Sequence, residues 1–245
     1  MNHSARPLHE THNRAQIDYF EARVKRTMVP RPSPYLARHV DEVVRHAGLQ
    51  PSQRLLEVGC GMGRYTLLLA ERGFAVEGLD LTPGLLQHLD AFNGGRFDIP
   101  LHTADIADPP AALIGAFDGI VGFFALHHMH DLDACYAGMA QLVRPGGTVV
   151  FVEPNPLNPS YYAQILLSPR MRWRAERGIL RMRRRTIFRA MTAAGLIAPR
   201  LARFGLFPPL LAERAWTRPI EHAAEAALSA TPCLAFQIFS ARRPD

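Results

Sequence analysis

Four groups of residues in this 245-residue chain have the types and spacing to do chemistry. The first is Glu57-Val-Gly59-Cys-Gly61-Met-Gly63-Arg64. Glycines at alternate positions let a backbone turn sharply off a strand and approach a ligand closely, and free N–H groups at the helix beyond can receive an anionic group. Arg64 stands where the dinucleotide fingerprint wants a small residue, which speaks against NAD. The second group is two isolated acids, Asp80 and Asp105. An acid at the end of the second strand, about 20 residues past the first glycine, can accept from both ribose hydroxyls. The third is His127-His128, with His130-Asp131 close behind. An imidazole with an ordinary pKa of ~6.5 is suited to take a proton near pH 7, His128 slightly ahead of His127; the same pair can instead cap or pack the following helix. The fourth is Arg170–Arg189, nine arginines against the single acid Glu176. The net charge of +6 is therefore one basic patch, the remainder being slightly acidic.

Regular elements must position these groups. Arg54–Val58, Ala75–Leu79, Ile99–Thr103, Asp118–Phe124, Thr148–Val152, Ile197–Phe204 and Leu234–Ala241 read as strands, several of them almost unbroken apolar runs. Helical patterns separate them at Tyr65–Glu71, Pro83–Leu89, Leu132–Val143, Thr186–Ala194 and Ile220–Leu228. Buried strands alternating with helices predict an α/β fold, a Rossmann-like, mostly parallel seven-stranded sheet with helices on both faces and a helical cap. Residues 1–13 read as a disordered tail. Residues 14–245 read as a single domain: cap helices over 14–48, a core over 50–155, a helical insertion or lid over 156–190, and the rest of the sheet over 191–245. Within 14–48, Ser33-Pro34 is an N-cap followed by an N1 proline, and Gly48 ends that helix. Arg144-Pro-Gly-Gly147 reads as a turn.

Composition excludes other classes. The chain is 48% hydrophobic and 20% charged, which rules out wholesale disorder, and no apolar run approaches the ~18 residues of a membrane span. Three separated cysteines (Cys60, Cys135, Cys233) read as reduced thiols in a cytoplasmic protein. No metal-ligand spacing is evident, so no metal site is expected.

Taken in order, the glycine loop, Asp80, Asp105 in Thr103-Ala-Asp-Ile106, the Gly122–Asp131 strand end and Leu142-Val-Arg-Pro-Gly-Gly147 resemble the class I S-adenosylmethionine-dependent methyltransferases. The small-molecule group that includes the ubiquinone and menaquinone enzymes is the nearest in look, over roughly residues 50–155. The resemblance implies that Glu57, Gly59, Gly61 and Gly63 hold the methionine end of S-adenosyl-L-methionine. It further implies that Asp80 and Leu81 hold the ribose, that Asp105 and Ile106 hold the adenine, and that the backbone near Phe123 meets the amino group. Its product would be S-adenosyl-L-homocysteine. Phe-Ala-Leu-His after the fourth strand departs from the Asn/Asp-Pro-Pro-Tyr of enzymes acting on amino groups of bases or glutamine. The expected acceptor is a small hydrophobic metabolite (a quinone, a polyketide-like or a lipid-linked compound), methylated on O, N or C. An RNA methyltransferase using the basic patch and a non-catalytic cofactor-binding module are the alternatives. On one helix, Arg170, Arg174, Arg177, Arg181 and Arg184 or Arg185 would share a face, with Gly178 a candidate break within it. That face reads as solvated, as a lid meeting an anionic or membrane-surface acceptor, or, least in keeping with its few aromatics, as a nucleic-acid contact. Tyr19 and Phe20 read as core packing or as a closure over the cofactor, and Cys60 as a small filler.

Overall fold

The computed structural model describes residues 6–22, 28–159, 161, 162, 166, 173–207, 212–214, 216–228, 231 and 233–245. Its strands are β1 (Arg54–Val58), β2 (Ala75–Asp80), β3 (Leu101–Thr103), β4 (Phe117–Phe123), β5 (Val143–Pro154), β6 (Ile197–Phe204) and β7 (Phe236–Arg242). They form one sheet in the order β3-β2-β1-β4-β5-β7-β6, parallel from β3 to β5. β7 alone is reversed, pairing antiparallel with β5 and β6. The helices are α1 (Arg6–Glu21), α2 (Pro34–Ala47), α3 (Thr66–Glu71), α4 (Pro83–Asn93), α5 (Leu132–Leu142), α6 (Trp173–Glu176), α7 (Arg184–Ala193) and α8 (Thr217–Leu228).

Side chains alternate across a strand, so each buried strand feeds two cores. Leu56 of β1 with Val149 and Phe151 of β5 point into one, together with Tyr136 of α5 and Ile187 of α7. Leu55, Val150 and Val152 point into the other, together with Leu69 of α3 and Val40 of α2. Gly122 of β4 is small by necessity, because a Cβ there would stand 2.0 Å from the Phe151 ring.

The structure departs from the expected organisation in four places. The stretch assigned to a disordered tail is helical from Arg6, placing His9, His12 and Asn13 on α1. Their polar side chains hide no apolar periodicity, so they look like tail until their partners are known. α1 covers the sheet's ligand edge, whereas α2 packs on the sheet through Leu36, Val40 and Val43 and brings Tyr35 to the cavity. Ser33 and Gly48 do cap α2, the Ser33 Oγ accepting from Leu36 N at 3.3 Å and Gly48 adopting φ +67°. The Pro-Gly-Gly turn is absorbed into β5 as an irregularity, with Gly146 at φ +72° and bonded by its N–H to Arg243 O at 3.1 Å. Finally, the arginines form no continuous helix: α6 passes into a 3-10 turn over Arg177–Arg181 before α7 starts. Arg170 and Arg172 lie outside the described residues.

Candidate active site

The sheet order reverses between β1 and β4, so the loops leaving their carboxyl ends diverge and open a crevice. A cavity of about 570 Å³ occupies it, a size usual for small-molecule sites. Its floor is the glycine loop. Gly59, Gly61 and Gly63 take φ of +74°, +53° and +83°, a region other residues rarely enter. Gly59 has no space for a side chain either, since a Cβ would lie 2.7 Å from that of Ala125. Beneath the loop, the Thr66 hydroxyl donates to the buried Glu57 carboxylate at 2.6 Å. Burial pushes the Glu57 pKa up to about 8, against that hydrogen bond.

Asp80 ends β2 directly across from the loop. Its Oδ2 accepts from Gly61 N and its Oδ1 from Thr82 N, both at 2.9 Å. The same carboxylate that faces the cavity therefore sets the loop's shape. Burial raises its pKa, countered by these backbone donors. Leu81, Ile106 and Phe123 also line the cavity, and Phe123 stacks on Tyr65 with centroids 4.3 Å apart. Cys60 fills space under β2, 2.8 Å from where a Gly78 Cβ would be.

Asp105 is reached by α1. His9 Nε2 and Asn13 Nδ2 each lie 2.6 Å from Asp105 Oδ2, and Ala107 N donates to Oδ1 at 2.9 Å. His12 Nε2 donates to the His128 carbonyl at 2.8 Å. Phe20, farther along α1, lines the cavity and meets the His128 ring edge-on at 5.2 Å, so of Tyr19 and Phe20 it is Phe20 that closes over the site. His130 is exposed, with the His12 ring 5.1 Å away.

The two candidate bases have different surroundings. His127 is buried between two carboxylates: its Nδ1 is 2.6 Å from Glu153 Oε2 and its Nε2 is 3.3 Å from Glu176 Oε2. Glu153 also accepts from Leu126 N at 2.7 Å. Burial opposes a charge on His127, but Glu153 and then Glu176 outweigh it and lift the pKa to about 9. Its two carboxylate partners favour the protonated imidazole, which speaks against the expectation that His127 takes the acceptor's proton. His128 is half-buried and lines the cavity. Among the described residues, His127, His128 and Glu176 are the one group whose ligand atoms lie within 4.8 Å of one another. The ion pair between His127 and Glu176 already accounts for that closeness.

Glu176 arrives from the insertion, as does Tyr161, whose hydroxyl donates to Glu176 Oε2 at 2.9 Å. Two contacts dock this segment. Arg181 donates to the carbonyls of Met129 and His130. Gly178 lies so close to His127 that a Cβ would fall 1.7 Å from the His127 carbonyl oxygen. Gly178→Val is therefore expected to lift the insertion off the strand end and cost about 1–3 kcal/mol, as overpacking does. An unchanged urea midpoint would show that the insertion is not seated there. Sequence reasoning overlooked His9, Asn13, Glu153 and Glu176. Two of them carried a signal: Glu153 is a charge ending an apolar strand, and Glu176 is the lone acid in a basic run.

Residues 31–197 match the methyltransferase-domain family. The chain belongs to that family. Its sequence is 34% identical over 129 residues to a ubiquinone biosynthesis O-methyltransferase of Aromatoleum aromaticum, covering 52% of this chain and 54% of that one. It is 31% identical to a malonyl-[acyl-carrier protein] O-methyltransferase of Serratia marcescens over 41% of this chain and 38% of that one. The chain thus spans about half the length, or less, of these curated relatives. In fold it is similar to a phosphoethanolamine N-methyltransferase of Haemonchus contortus solved with S-adenosyl-L-methionine, with TM-score 0.59 and 17% identity over 85% of this chain and 53% of that one. No helix among the described residues is long and apolar enough to cross a membrane.

Proposed function

We propose that this protein transfers a methyl group from S-adenosyl-L-methionine to a hydroxyl oxygen of a small, apolar, aromatic acceptor. The observation carrying the reading is one cavity with two chemically distinct sets of lining residues. The left-handed glycines, Glu57, Asp80 and Asp105 form one set; aromatic side chains (Phe20, Tyr35, Phe124, Phe236) with Glu176 and Tyr161 form the other. The residues fit the cofactor. Glu57 with Gly59, Gly61 and Gly63 receives the methionine end, and the backbone near Phe123 meets its amino group. Asp80 beside Leu81 accepts from the ribose. Ile106 packs on the adenine, whose amino group joins or replaces the Asn13 amide at Asp105. The cofactor supplies an activated methyl on a sulfonium. The chain then aligns the acceptor and excludes water, the main sources of rate for such a displacement.

α1 supplies the closure, tied down at Asp105 and at the His128 carbonyl. Phe124 sits at φ +57°, a strained conformation held by its N–H bond to Val152 O at 2.8 Å, and lines the cavity. The exposed Arg177, Arg183, Arg184, Arg185 and Arg189 support a peripheral contact with an anionic surface near the insertion. The names of relatives that methylate oxygen support the choice of accepting atom.

Calorimetry with S-adenosyl-L-homocysteine, followed by turnover of methyl-labelled cofactor against a panel of phenols and amines, tests the proposal. Saturable binding with label recovered on phenol oxygen is expected. Failure to bind the product cofactor would overturn the proposal, and label on amines alone would overturn its oxygen assignment.

A further inference from the structure

Glu176 is the only acid in the basic segment, yet it is almost wholly buried and faces the cavity. A helix one turn long holds it, and the turn that follows is fastened by Gly178 against the His127 carbonyl and by Arg181 on the carbonyls of Met129 and His130. Around it stands a chain of groups: Glu153, then His127, then Glu176, then the Tyr161 hydroxyl. Glu153 is satisfied by the Leu126 N–H and by His127. Two carboxylates thus share one imidazole, each meeting a different ring nitrogen.

Glu176 thereby brings a buried carboxylate, held from two sides, to the wall of the cavity. Resting on the methyl-transfer reading above, we propose that Glu176 takes the acceptor's hydroxyl proton, with His127 and Tyr161 as the residues that position its carboxylate. The balance is simple. The acceptor oxygen's lone pair forms the new O–C bond, and the old C–S bond breaks with its electrons left on sulfur. The O–H pair stays on oxygen while the proton goes to Glu176. The donor loses its positive charge as the carboxylate loses its negative one, so no net charge builds in the closed site. A carboxylate suffices as the acceptor, because a hydroxyl that has begun to bond to carbon is a strong acid.

The rival is His128, and the geometry disfavours it. Its ring lies 4.0 Å from that of His127. A proton arriving on His128 would place two positive rings side by side, whereas a proton arriving on Glu176 adds no positive charge beside His127. Among the described residues, Glu153 holds the charge on His127, Tyr161 keeps its proton because burial and then Glu176 push its pKa up, and His128 stands beside the pair.

The probes are 2-naphthol and catechol with their methyl ethers, used with the full chain. With S-adenosyl-L-homocysteine present, the wild type is expected to bind each phenol at least about tenfold tighter than its ether. Glu176→Gln should erase that preference and lower kcat by ~10²–10⁴-fold, the usual worth of a general base, leaving the product cofactor's affinity within about twofold. Glu176→Asp should restore part of the rate. Tyr161→Phe removes one donor from the carboxylate and should move the acid limb of kcat to higher pH, a shift that lost packing does not produce; it stands as the second variant if Glu176→Gln does not fold. Wild-type methylation of a phenol with kcat retained in Glu176→Gln, or the phenol preference surviving in it, would overturn the assignment alone. Methylation of neither phenol by the wild type would overturn it together with the acceptor class.

Discussion

Asp80→Ala is expected to weaken the binding of S-adenosyl-L-homocysteine by at least ~1–3 kcal/mol, about one to two decades in dissociation constant. Two losses combine. The ribose loses its acceptor, and Gly61 N and Thr82 N lose theirs, leaving the glycine loop without the bonds that hold its curvature. Asp80→Asn separates the two, because its amide oxygen can still accept from one backbone N–H but no longer offers a second acceptor. The alanine variant should also lose thermal stability, whereas the asparagine variant should lose affinity first. Calorimetry on a folded alanine variant with unchanged affinity would remove Asp80 from the cofactor site.

Glu153→Gln is expected to cost about 3–5 kcal/mol, the usual penalty for leaving one member of a buried pair without its partner. Its signature is in the pH dependence. In the folded chain the His127 pKa is raised from 6.5 to about 9. A raised histidine stabilises the fold fully below its unfolded pKa, and the contribution disappears as the pH climbs from about 6.5 through about 9. Wild-type stability should therefore decline across that window. In Glu153→Gln only Glu176 still supports the charge, so the decline should become shallower and shift to lower pH. Urea denaturation at intervals from pH 6 to pH 10 measures both. Equal slopes in the two proteins would show that His127 is not held as a cation by Glu153.

The glycine-loop half of the cavity was legible because its features are local. A strand, a glycine turn and a helix lie within a few residues of one another. Asp80 and Asp105 stand at the ends of apolar runs whose period announces buried strands. β1 and β6 have the bounds read from the sequence, and Gly48 ends α2 as expected. Residue type and spacing suffice there, since backbone geometry alone carries each group to the sheet edge.

The acceptor half was not legible, because its groups come from distant segments and acquire meaning only by contact. His127 reads as a base until Glu153, 26 residues on, and Glu176, 49 residues on, hold it as a cation. His9 and Asn13 read as tail until Asp105, about 90 residues away, gives α1 a place to dock. The arginine run reads as an amphipathic face with Gly178 as its weak point, but only the contact of Gly178 with the His127 carbonyl shows where the turn docks and that Glu176 is buried there. The sequence alone thus determined the sheet, the glycine loop and the acids at the strand ends, all set by short-range periodicity. Only the tertiary structure decided which titratable groups share a buried space, and so which of them carry charge and which can accept a proton.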